Sequence, residues 1–357
     1  MNFVELESGE FRRFEQKNPY GNLYQMSERA EVRRHMGWNA KLLGLKDKNK
    51  IIAACLLLEK NGAAMVQMGG VLDWSDTKII NEWLKNVSDY AKKNNFYMLE
   101  IYPPVKLSIR DNKGEIIEEY DRSGIYKLFE KYGYSYLGKT IAVDPKANRW
   151  ITCKDLSGFK NVDELRASYK KNVRNKLRKC SGDLAIEEVT SDEDLDEIGR
   201  AMEGSNEKNG AKSRDHSYYR YIRDAYGKQV HFVLARRKDD GDTVAGRIIF
   251  DHPNETISFI SGTVQKYRRM NAMTVLQDDL LTKCFNNGIK RVNFYGMEGD
   301  FSDNNRLLEF KSGFGILVEE YIGGFRLIIR PGKYKAVQAK TFARRCLGFA
   351  KRKIIRK

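Results

Sequence analysis

The fold is decided by the segment IIAACLLLEKNGAAMVQMGG at residues 51–70, because the chain repeats its pattern as TVAGRIIFDHPNETISFISG at residues 243–262. Matching positions lie 192 residues apart with nothing inserted, so that Gly70 corresponds to Gly262. Each segment is an apolar run, a turn and a second run that ends in glycine, which predicts a β-hairpin. The repeat predicts two similar halves, and the seam between such halves is a common place for a ligand.

The same order of elements continues after each hairpin. Apolar residues at helical spacing predict a helix over residues 79–94 and then a strand over 96–102. The second copy has a corresponding helix over 271–287 and a strand over 291–295. This order resembles the plan of the GNAT acyltransferases. The sequence therefore predicts an α/β protein with mixed sheets, built from two GNAT-like domains related by internal duplication.

The loops before the two helices argue against coenzyme A. In GNAT enzymes a glycine-rich loop lets backbone N–H groups approach a pyrophosphate at the helix N-terminus. The corresponding loops here are VLDWSD at 71–76 and QKYRRMN at 265–271, and neither contains glycine. Bulky side chains would hold the backbone away from a diphosphate, and Asp73 and Asp76 would repel one. We therefore expect no cofactor, and an acyl group that arrives on another carrier.

Composition indicates a soluble globular protein of about two domains. The 357 residues are 41% hydrophobic and 31% charged. No run of about 18 apolar residues predicts a transmembrane helix, and the acidic N-terminus lacks the apolar core of a signal peptide. Five cysteines without CxxC spacing and four scattered histidines predict reduced thiols and no metal site. We expect a cytoplasmic protein.

The basic charge is concentrated in the C-terminal tail. Of the net charge of +16, the tail from Arg330 to Lys357 supplies eleven Lys or Arg and no acidic residue, which leaves +5 for the rest. Such a tail attracts RNA or anionic lipid, although a solvated end that aids solubility explains it equally well. Phe342, Cys346 and Phe349 fall on one face of a predicted helix. We expect this basic amphipathic helix to bring the protein to an anionic membrane.

A second basic segment lies between the two copies. Apolar residues recur at intervals of three and four from Val162 to Cys180, which predicts one amphipathic helix. Its opposite face is basic and includes Lys170, Lys171 and Arg174. A basic helix face is usually just solvated. In a protein that handles RNA, it becomes a candidate for contact with phosphates.

Several short motifs, taken in their order and spacing, resemble the FemABX family. They are Gly37-Trp38, the segment 69–73, the segment 168–174, the segment 293–299, FKSGFG at 310–315 and the segment 320–323. The resemblance implies an aminoacyl-tRNA-dependent transferase that builds peptidoglycan cross-bridges without coenzyme A. Because no sustained heptad pattern occurs, the chain resembles the compact FemX-type members without a coiled-coil arm. By resemblance, domain 1 comprises residues 1–148 and 320–357, and domain 2 comprises residues 149–319.

The reaction that the resemblance implies is aminolysis of an ester. A side-chain amine on a peptidoglycan precursor, either UDP-MurNAc-pentapeptide or lipid II, attacks the amino acid at the 3′ end of aminoacyl-tRNA. Positioning of the two reactants lowers the activation barrier by on the order of 7–11 kcal/mol in well-oriented cases. A fixed cation near the developing oxyanion stabilises the transition state by roughly 3–4 kcal/mol. No covalent enzyme intermediate is required, and the sequence offers no convincing Ser/His/Asp or Cys/His arrangement for one.

The resemblance also implies roles for particular residues. Lys311 is the candidate catalytic cation, which neutralises the oxyanion or holds the tRNA terminus, and Phe310 is a stacking or shape element beside it. Arg33 and Arg214, one from each half, are candidates to clamp the precursor's diphosphate, with Tyr218 nearby. Without the resemblance, a surface lysine and a core phenylalanine would be the ordinary interpretations of the first pair.

Some alternatives stay open at the level of sequence. Arg34 replaces Arg33 if the motif's register slips by one residue. Asp73 and Glu298 are candidate proton acceptors, although loop acids are usually caps or turn residues and the substrate can lose its proton without a protein base. The basic helix that contains Lys170 is the candidate tRNA contact. Two other functions also fit: a GNAT-like N-acyltransferase with a different donor, and a non-enzymatic protein that binds RNA or a membrane surface.

Overall fold

The computed structural model describes the backbone of residues 1–144, 146–208 and 213–355, and side chains over 1–144, 146–204 and 213–344. Its α-helices are α1 (Ser8–Lys17), α2 (Ser27–His35), α3 (Thr77–Lys93), α4 (Ser123–Lys131), α5 (Val162–Ala167), α6 (Lys171–Cys180), α7 (Asp192–Lys208), α8 (Ser217–Tyr226), α9 (Ala272–Asn286), α10 (Arg306–Ser312) and α11 (Pro331–Ile355). Its strands are β1 (Asn2–Glu5), β2 (Asn39–Asp47), β3 (Lys50–Lys60), β4 (Ala63–Val66), β5 (Val71–Leu72), β6 (Met98–Ile101), β7 (Lys106–Arg110), β8 (Ile116–Glu119), β9 (Ser135–Tyr136), β10 (Trp150–Asp155), β11 (Leu184–Val189), β12 (Val230–Arg237), β13 (Thr243–His252), β14 (Glu255–Thr263), β15 (Arg291–Met297), β16 (Leu317–Tyr321) and β17 (Phe325–Ile328).

The strands form two mixed sheets, and the predicted duplication is visible in both. The first sheet has the order β1-β2-β3-β4-β6-β17-β9, with β5 beside β3, and the second has the order β11-β12-β13-β14-β15-β10-β16-β7-β8. In the first half the hairpin β3–β4 leads through α3 to β6, which lies parallel to β4. In the second half β13–β14 leads through α9 to β15, parallel to β14. The predicted α/β class with two GNAT-like halves is confirmed.

Strands cross between the halves in both directions. β7 and β8 follow the first half in sequence but extend the second sheet beside β16. After β16 the chain returns to the first sheet, where β17 pairs with β6 and β9. The exact domain bounds, 1–148 with 320–357 and 149–319, remain a prediction.

Buried polar contacts hold the two halves together. His252, at the end of β13, places its Nε2 2.7 Å from Oε1 of Glu15 in α1, and both side chains are almost fully buried. The Asn254 side chain donates to two carbonyl groups in the loop that follows α1. Helix α2 of the first half packs against α8 of the second, where the rings of His35 and Tyr221 lie 3.5 Å apart. The seam is therefore part of the folded core.

The predicted single helix from Val162 to Cys180 is wrong, because the chain breaks between α5 and α6. Tyr169 turns into the core against Phe314, with ring centroids 5.2 Å apart. The backbone N–H of Lys170 donates to the carbonyl oxygen of Gly313 at 2.8 Å. This tertiary hydrogen bond replaces one within the helix, so a new helix, α6, begins at Lys171.

The basic tail forms helix α11, whose first turn is attached to the first half. The backbone N–H of Arg330 donates to the carbonyl oxygen of Tyr97, and the Tyr334 hydroxyl accepts from Arg326. Phe342 is 70% exposed. The side chains of Cys346 and Phe349 lie outside the described residues. Among the residues that the structure describes, no helix is both long and apolar enough to cross a membrane.

Candidate active site

The second half contains a cavity between two diverging strands. β14 and β15 pair in parallel only at Thr256–Val292 and Ile257–Asn293. Beyond these pairs β14 continues along β13 and β15 continues along β10, so the sheet opens. The opening encloses about 250 Å³. We call it the lysine cavity, and its main lining groups are residues 258–261 of β14, residues 294–296 of β15, Arg247, Gln277, Arg214, Phe310 and Lys311.

Lys311 reaches the lysine cavity from the last turn of α10. Its side chain is buried, and Nζ donates to the carbonyl oxygens of Tyr295 at 3.2 Å and Gly296 at 2.9 Å. Among the described residues, no carboxylate lines the cavity. Burial without a counter-ion disfavours the ammonium form and lowers the pKa of Lys311 to about 7. This amine can therefore gain and lose a proton near neutral pH.

Phe310 and Arg214 also line the lysine cavity. The half-buried Phe310 ring packs edge-on against Phe314, with centroids 5.5 Å apart. Arg214 is exposed, and its guanidinium carbon lies 4.9 Å from the centre of the Tyr218 ring. Residues 209–212 of the predicted loop before Arg214 lie outside the described residues. The structure thus places two of the predicted residues at the walls and mouth of the same cavity as Lys311.

Arg33 occupies a smaller cavity next to the lysine cavity. Both Arg33 and Tyr218 line this second space between α2 and α8, and Phe259 borders both spaces. Burial, together with the neighbouring Arg29, lowers the pKa of Arg33 to about 10, so the guanidinium stays charged at neutral pH. The predicted residues therefore follow one path along the seam, from Arg33 past Tyr218 and Arg214 to the lysine cavity.

The alternative candidates occupy other positions. Arg34 is exposed and donates from Nε and Nη2 to the carbonyl oxygen of Ala40. The Asp73 carboxylate accepts from the backbone N–H and the hydroxyl of Ser75, and these bonds hold the pKa of Asp73 below its usual value. Glu298 is exposed, and neither acid lines the lysine cavity. Asp73 is thus a turn residue, as loop acids usually are.

Two tyrosines that the sequence analysis missed separate this path from a larger cavity. The hydroxyls of Tyr24 and Tyr295, one from each half, lie 2.7 Å apart, and Asn148 donates to the Tyr24 hydroxyl. On their other side the seam encloses about 510 Å³. Tyr295 has φ of +66°, a value uncommon for a residue other than glycine. The positive φ is a property of the folded chain and left no sign in the sequence.

The basic helix α6 begins close to α10. Lys170, Lys171 and Arg174 are all exposed at its first turns. Gly313, which accepts the N–H of Lys170, follows directly after the end of α10, two residues beyond Lys311. The predicted RNA-contacting face therefore starts next to the turn that carries the cavity lysine.

The corresponding strands of the first half, β4 and β6, remain bonded to each other, and side chains of the preceding helices bond beside them. Gln25 donates from Nε2 to the carbonyl oxygen of Gln67 at 2.6 Å and accepts from the N–H of Leu56 at 2.8 Å. Arg29 donates to the side-chain oxygen of Gln67 at 3.0 Å. The backbone N–H of Tyr102 also still bonds across the strands, to Val66. The strands therefore stay joined where β14 and β15 separate, and a cavity of about 270 Å³ lies past their ends, where Met68, Tyr102 and Asp144 help to line it.

The helix N-terminus in the first half is also occupied. The Asp76 carboxylate accepts from the N–H groups of Lys78 and Ile79. It thereby takes the place that a phosphate would occupy at a helix N-terminus. This agrees with the absence of glycine from the 71–76 loop. Among the described residues, no group of three or more His, Cys, Asp or Glu is placed to hold a metal ion.

Comparison with known proteins places the chain in a class and then in a family. The structure resembles a tandem GNAT protein from the clavulanic acid biosynthesis pathway, with a TM-score of 0.55 and 11% identity over 91% of this chain and 98% of that one. It resembles the crystal structure of FemX more strongly, with a TM-score of 0.80 and 17% identity over 94% of this chain and 100% of FemX. The fold is therefore that of two linked GNAT-like domains.

The FemAB family model matches residues 6–238 and 236–341, and the chain belongs to the FemAB family. It is 24% identical to aminoacyltransferase FemB of Staphylococcus epidermidis (strain ATCC 12228 / FDA PCI 1200), over 94% of this chain and 96% of the relative. It is 23% identical to aminoacyltransferase FemA of Staphylococcus epidermidis, over 91% and 95%. The family predicted from the sequence is confirmed.

Proposed function

We propose that this chain transfers an amino acid from aminoacyl-tRNA to the stem-peptide side-chain amine of a peptidoglycan precursor. The chain is an aminoacyltransferase of the FemAB family, in line with the names of its relatives. One observation carries the assignment of the reaction centre. Lys311 is a buried amine without a counter-ion among the described residues, and it lies in the open cavity of the second half.

The position of Lys311 suits proton transfer during aminolysis. The acceptor amine attacks the ester carbonyl, a C–N bond forms, and the bond to the 3′ oxygen of the tRNA breaks. Neutral Lys311 takes the proton that the amine loses, and the resulting ammonium lies beside the oxyanion. It then returns the proton to the departing 3′ oxygen. Because the pKa of Lys311 is about 7, both transfers are accessible at neutral pH.

Arg33 and Arg214 suit the diphosphate of the precursor. They come from different halves, and both lie close to Tyr218. A guanidinium offers a planar fork that matches two phosphate oxygens, and Arg33 is partly shielded from water. A diphosphate held between them would also hold the two halves around the substrate. Both UDP-MurNAc-pentapeptide and lipid II carry this group.

The exposed basic face of α6 suits the RNA of the donor. Lys170, Lys171 and Arg174 lie beside the end of α10, so a strand of RNA along them ends near Lys311. Each phosphate contact that is lost should flatten the dependence of binding on salt by about one unit of log–log slope. We expect this for Lys171→Ala, whereas Lys176→Ala, at another exposed position on the same helix, should leave the slope unchanged.

Helix α11 is the segment that we propose binds the inner face of the membrane. Its first turn is attached to the first half, while its later, basic part carries the exposed Phe342. Removal of residues 336–357 keeps the attached turn and should abolish co-sedimentation with anionic lipid vesicles while leaving transfer to a soluble precursor intact. If the shortened protein still sediments with the vesicles, the tail is not the membrane contact.

The function is tested by a mass-shift assay. Purified protein is mixed with a charged tRNA pool and either UDP-MurNAc-pentapeptide or lipid II, and the precursor should gain the mass of one aminoacyl residue. Arg34→Ala, which changes an exposed arginine away from the cavities, should retain this activity. Transfer from an acyl thioester without tRNA would instead identify a GNAT-like N-acyltransferase. Salt-dependent binding without any turnover would identify a non-enzymatic protein.

A further inference from the structure

Two polar side chains at the floor of the lysine cavity have buried groups without partners. Arg247 points from β13 and Gln277 from α9, with exposed fractions of 1% and 2%. Nη1 of Arg247 donates to the carbonyl oxygen of Leu276 at 2.9 Å. Within the described part of the chain, Nε of Arg247 and Nε2 of Gln277 have no hydrogen-bond acceptor. A buried donor without an acceptor is costly, so its retention needs an explanation.

The fold itself does not require this polar floor. By the 192-residue offset, the position of Arg247 is occupied in the first half by Cys55, which is fully buried. There the Trp83 ring fills the space, since a Cβ on Gly70 would lie 2.7 Å from it. A buried donor without an acceptor among the described residues, Nε1 of Trp83, occurs there too, but the space holds no charged side chain. The second half has polar groups and empty space instead.

The charge around the lysine cavity limits what can enter it. Arg214, Arg247 and Lys311 supply basic groups, no carboxylate among the described residues lines the cavity, and Asp279, whose charge acts on Arg247, lies outside it. The α-ammonium of an aminoacyl ester would be repelled toward the mouth, and a cationic side chain would be rejected. An oxygen atom on the side chain, by contrast, could accept from the unpaired donors. The hydroxyls of Ser258 and Ser261 line the same space.

We propose that Arg247 and Gln277 select the amino acid that is transferred, by favouring aminoacyl groups whose side chain carries an oxygen acceptor. This inference rests on the proposed function, because it assumes that the aminoacyl end of the donor enters the lysine cavity. A hydroxyl and a carboxylate share the required chemistry. Apolar side chains leave both donors unpaired, and a site built for hydrogen bonding rejects such analogues.

The test holds the RNA constant and varies only the amino acid. One RNA hairpin that mimics the acceptor stem is charged chemically with serine, alanine, threonine, valine, aspartate or lysine. Pairs of charged hairpins compete for one precursor, and product masses give the ratio of kcat/KM values. Threonine and valine have nearly the same shape, so their ratio isolates the oxygen. Aspartate distinguishes a carboxylate from a hydroxyl as the preferred acceptor.

We expect at least a tenfold preference for serine over alanine and for threonine over valine. Gln277→Leu should bring both ratios close to one while transfer of alanine continues, and Arg247→Met should act in the same direction. The control Ile260→Val changes a lining residue without a polar side-chain atom and should keep the preference.

Ratios within twofold in the unmodified protein would overturn the inference, as would an unchanged preference in a folded Gln277→Leu protein. In either case transfer itself would still support the proposed function. Only a failure to transfer any amino acid would overturn both together.

Discussion

The two halves share one plan but differ at the end of their two parallel strands. In the first half the strands stay bonded through Val66, Gly69 and Tyr102, and Gln25 and Arg29 bond to Gln67 at the end of β4. In the second half the opening remains a cavity with an unbalanced lysine and a polar floor. The duplicated fold thus keeps the two strands joined in one half and opens them around a buried lysine in the other. Sites built for function commonly tolerate such unfavourable burial.

The largest effect should come from the lysine of the open half. Lys311→Met removes the proton carrier and the cation beside the oxyanion, so kcat should fall roughly 100- to 1000-fold, as when one oxyanion donor is lost. The corresponding first-half change, Gln67→Leu, should leave kcat within about threefold. Single-turnover rates with saturating substrates measure both. An equal loss of kcat in the two variants would show that the reaction centre is not confined to the second half.

The next effect should come from the two arginines along the seam. Hydrogen bonds to charged groups contribute about 1.5–3 kcal/mol. Arg33→Ala and Arg214→Ala should therefore each raise KM for the precursor roughly 10- to 100-fold, with little change in kcat. Arg34→Ala is the matched control, because it removes the neighbouring guanidinium that bonds to Ala40. A similar rise in KM for the control would place the precursor elsewhere.

The free energy of unfolding should depend more on the bonded strand ends of the first half than on the open strands of the second. Gln25→Leu leaves the N–H of Leu56 and the carbonyl of Gln67 unpaired, at a cost of roughly 1–3 kcal/mol for each group. Gln277→Leu removes an amide whose Nε2 already has no partner, so the free energy of unfolding should change little. Urea unfolding midpoints at a constant slope measure the difference. The comparison fails if Gln277→Leu is the more destabilising change.

The pH dependence of kcat/KM should reveal the protonation state of Lys311. Because the neutral amine accepts the proton and its pKa is about 7, kcat/KM should show an inflection near pH 7, with a further rise at higher pH as the acceptor amine of the precursor loses its own proton. Lys311→Arg should lack this inflection.

Folding gives an independent check on the same group. The unfolded chain binds a proton at Lys311 that the folded chain releases above pH 7, so this residue's contribution to stability rises with pH between about 7 and 10.5. Lys311→Met should remove that rise.

Much of the fold was accessible from the sequence, since local patterns fixed both hairpins and both crossing helices. The helix from Val162 to Cys180 was the exception. Tyr169 fits the helical period, whereas the bond from Lys170 to Gly313 that breaks the helix joins positions distant in sequence. Periodicity contains no information about such a tertiary partner.

The candidate site was predictable only in part. Arg33, Arg214 and Lys311 came from the family resemblance, and their alignment along one path needed the folded seam. Arg247 had a visible signal, because a single charge interrupts the apolar strand 244–250. Nothing in the sequence marked Gln277, since a glutamine in an amphipathic helix usually faces solvent.

The most direct test of the division between the halves is a structure with a non-hydrolysable donor bound. A short RNA that ends in a 3′-aminoacylamino group mimics the ester and cannot react. We expect its acyl carbonyl between β14 and β15, within hydrogen-bonding distance of Nζ of Lys311. An acyl group found in the 510 Å³ seam cavity, or between β4 and β6, would contradict it.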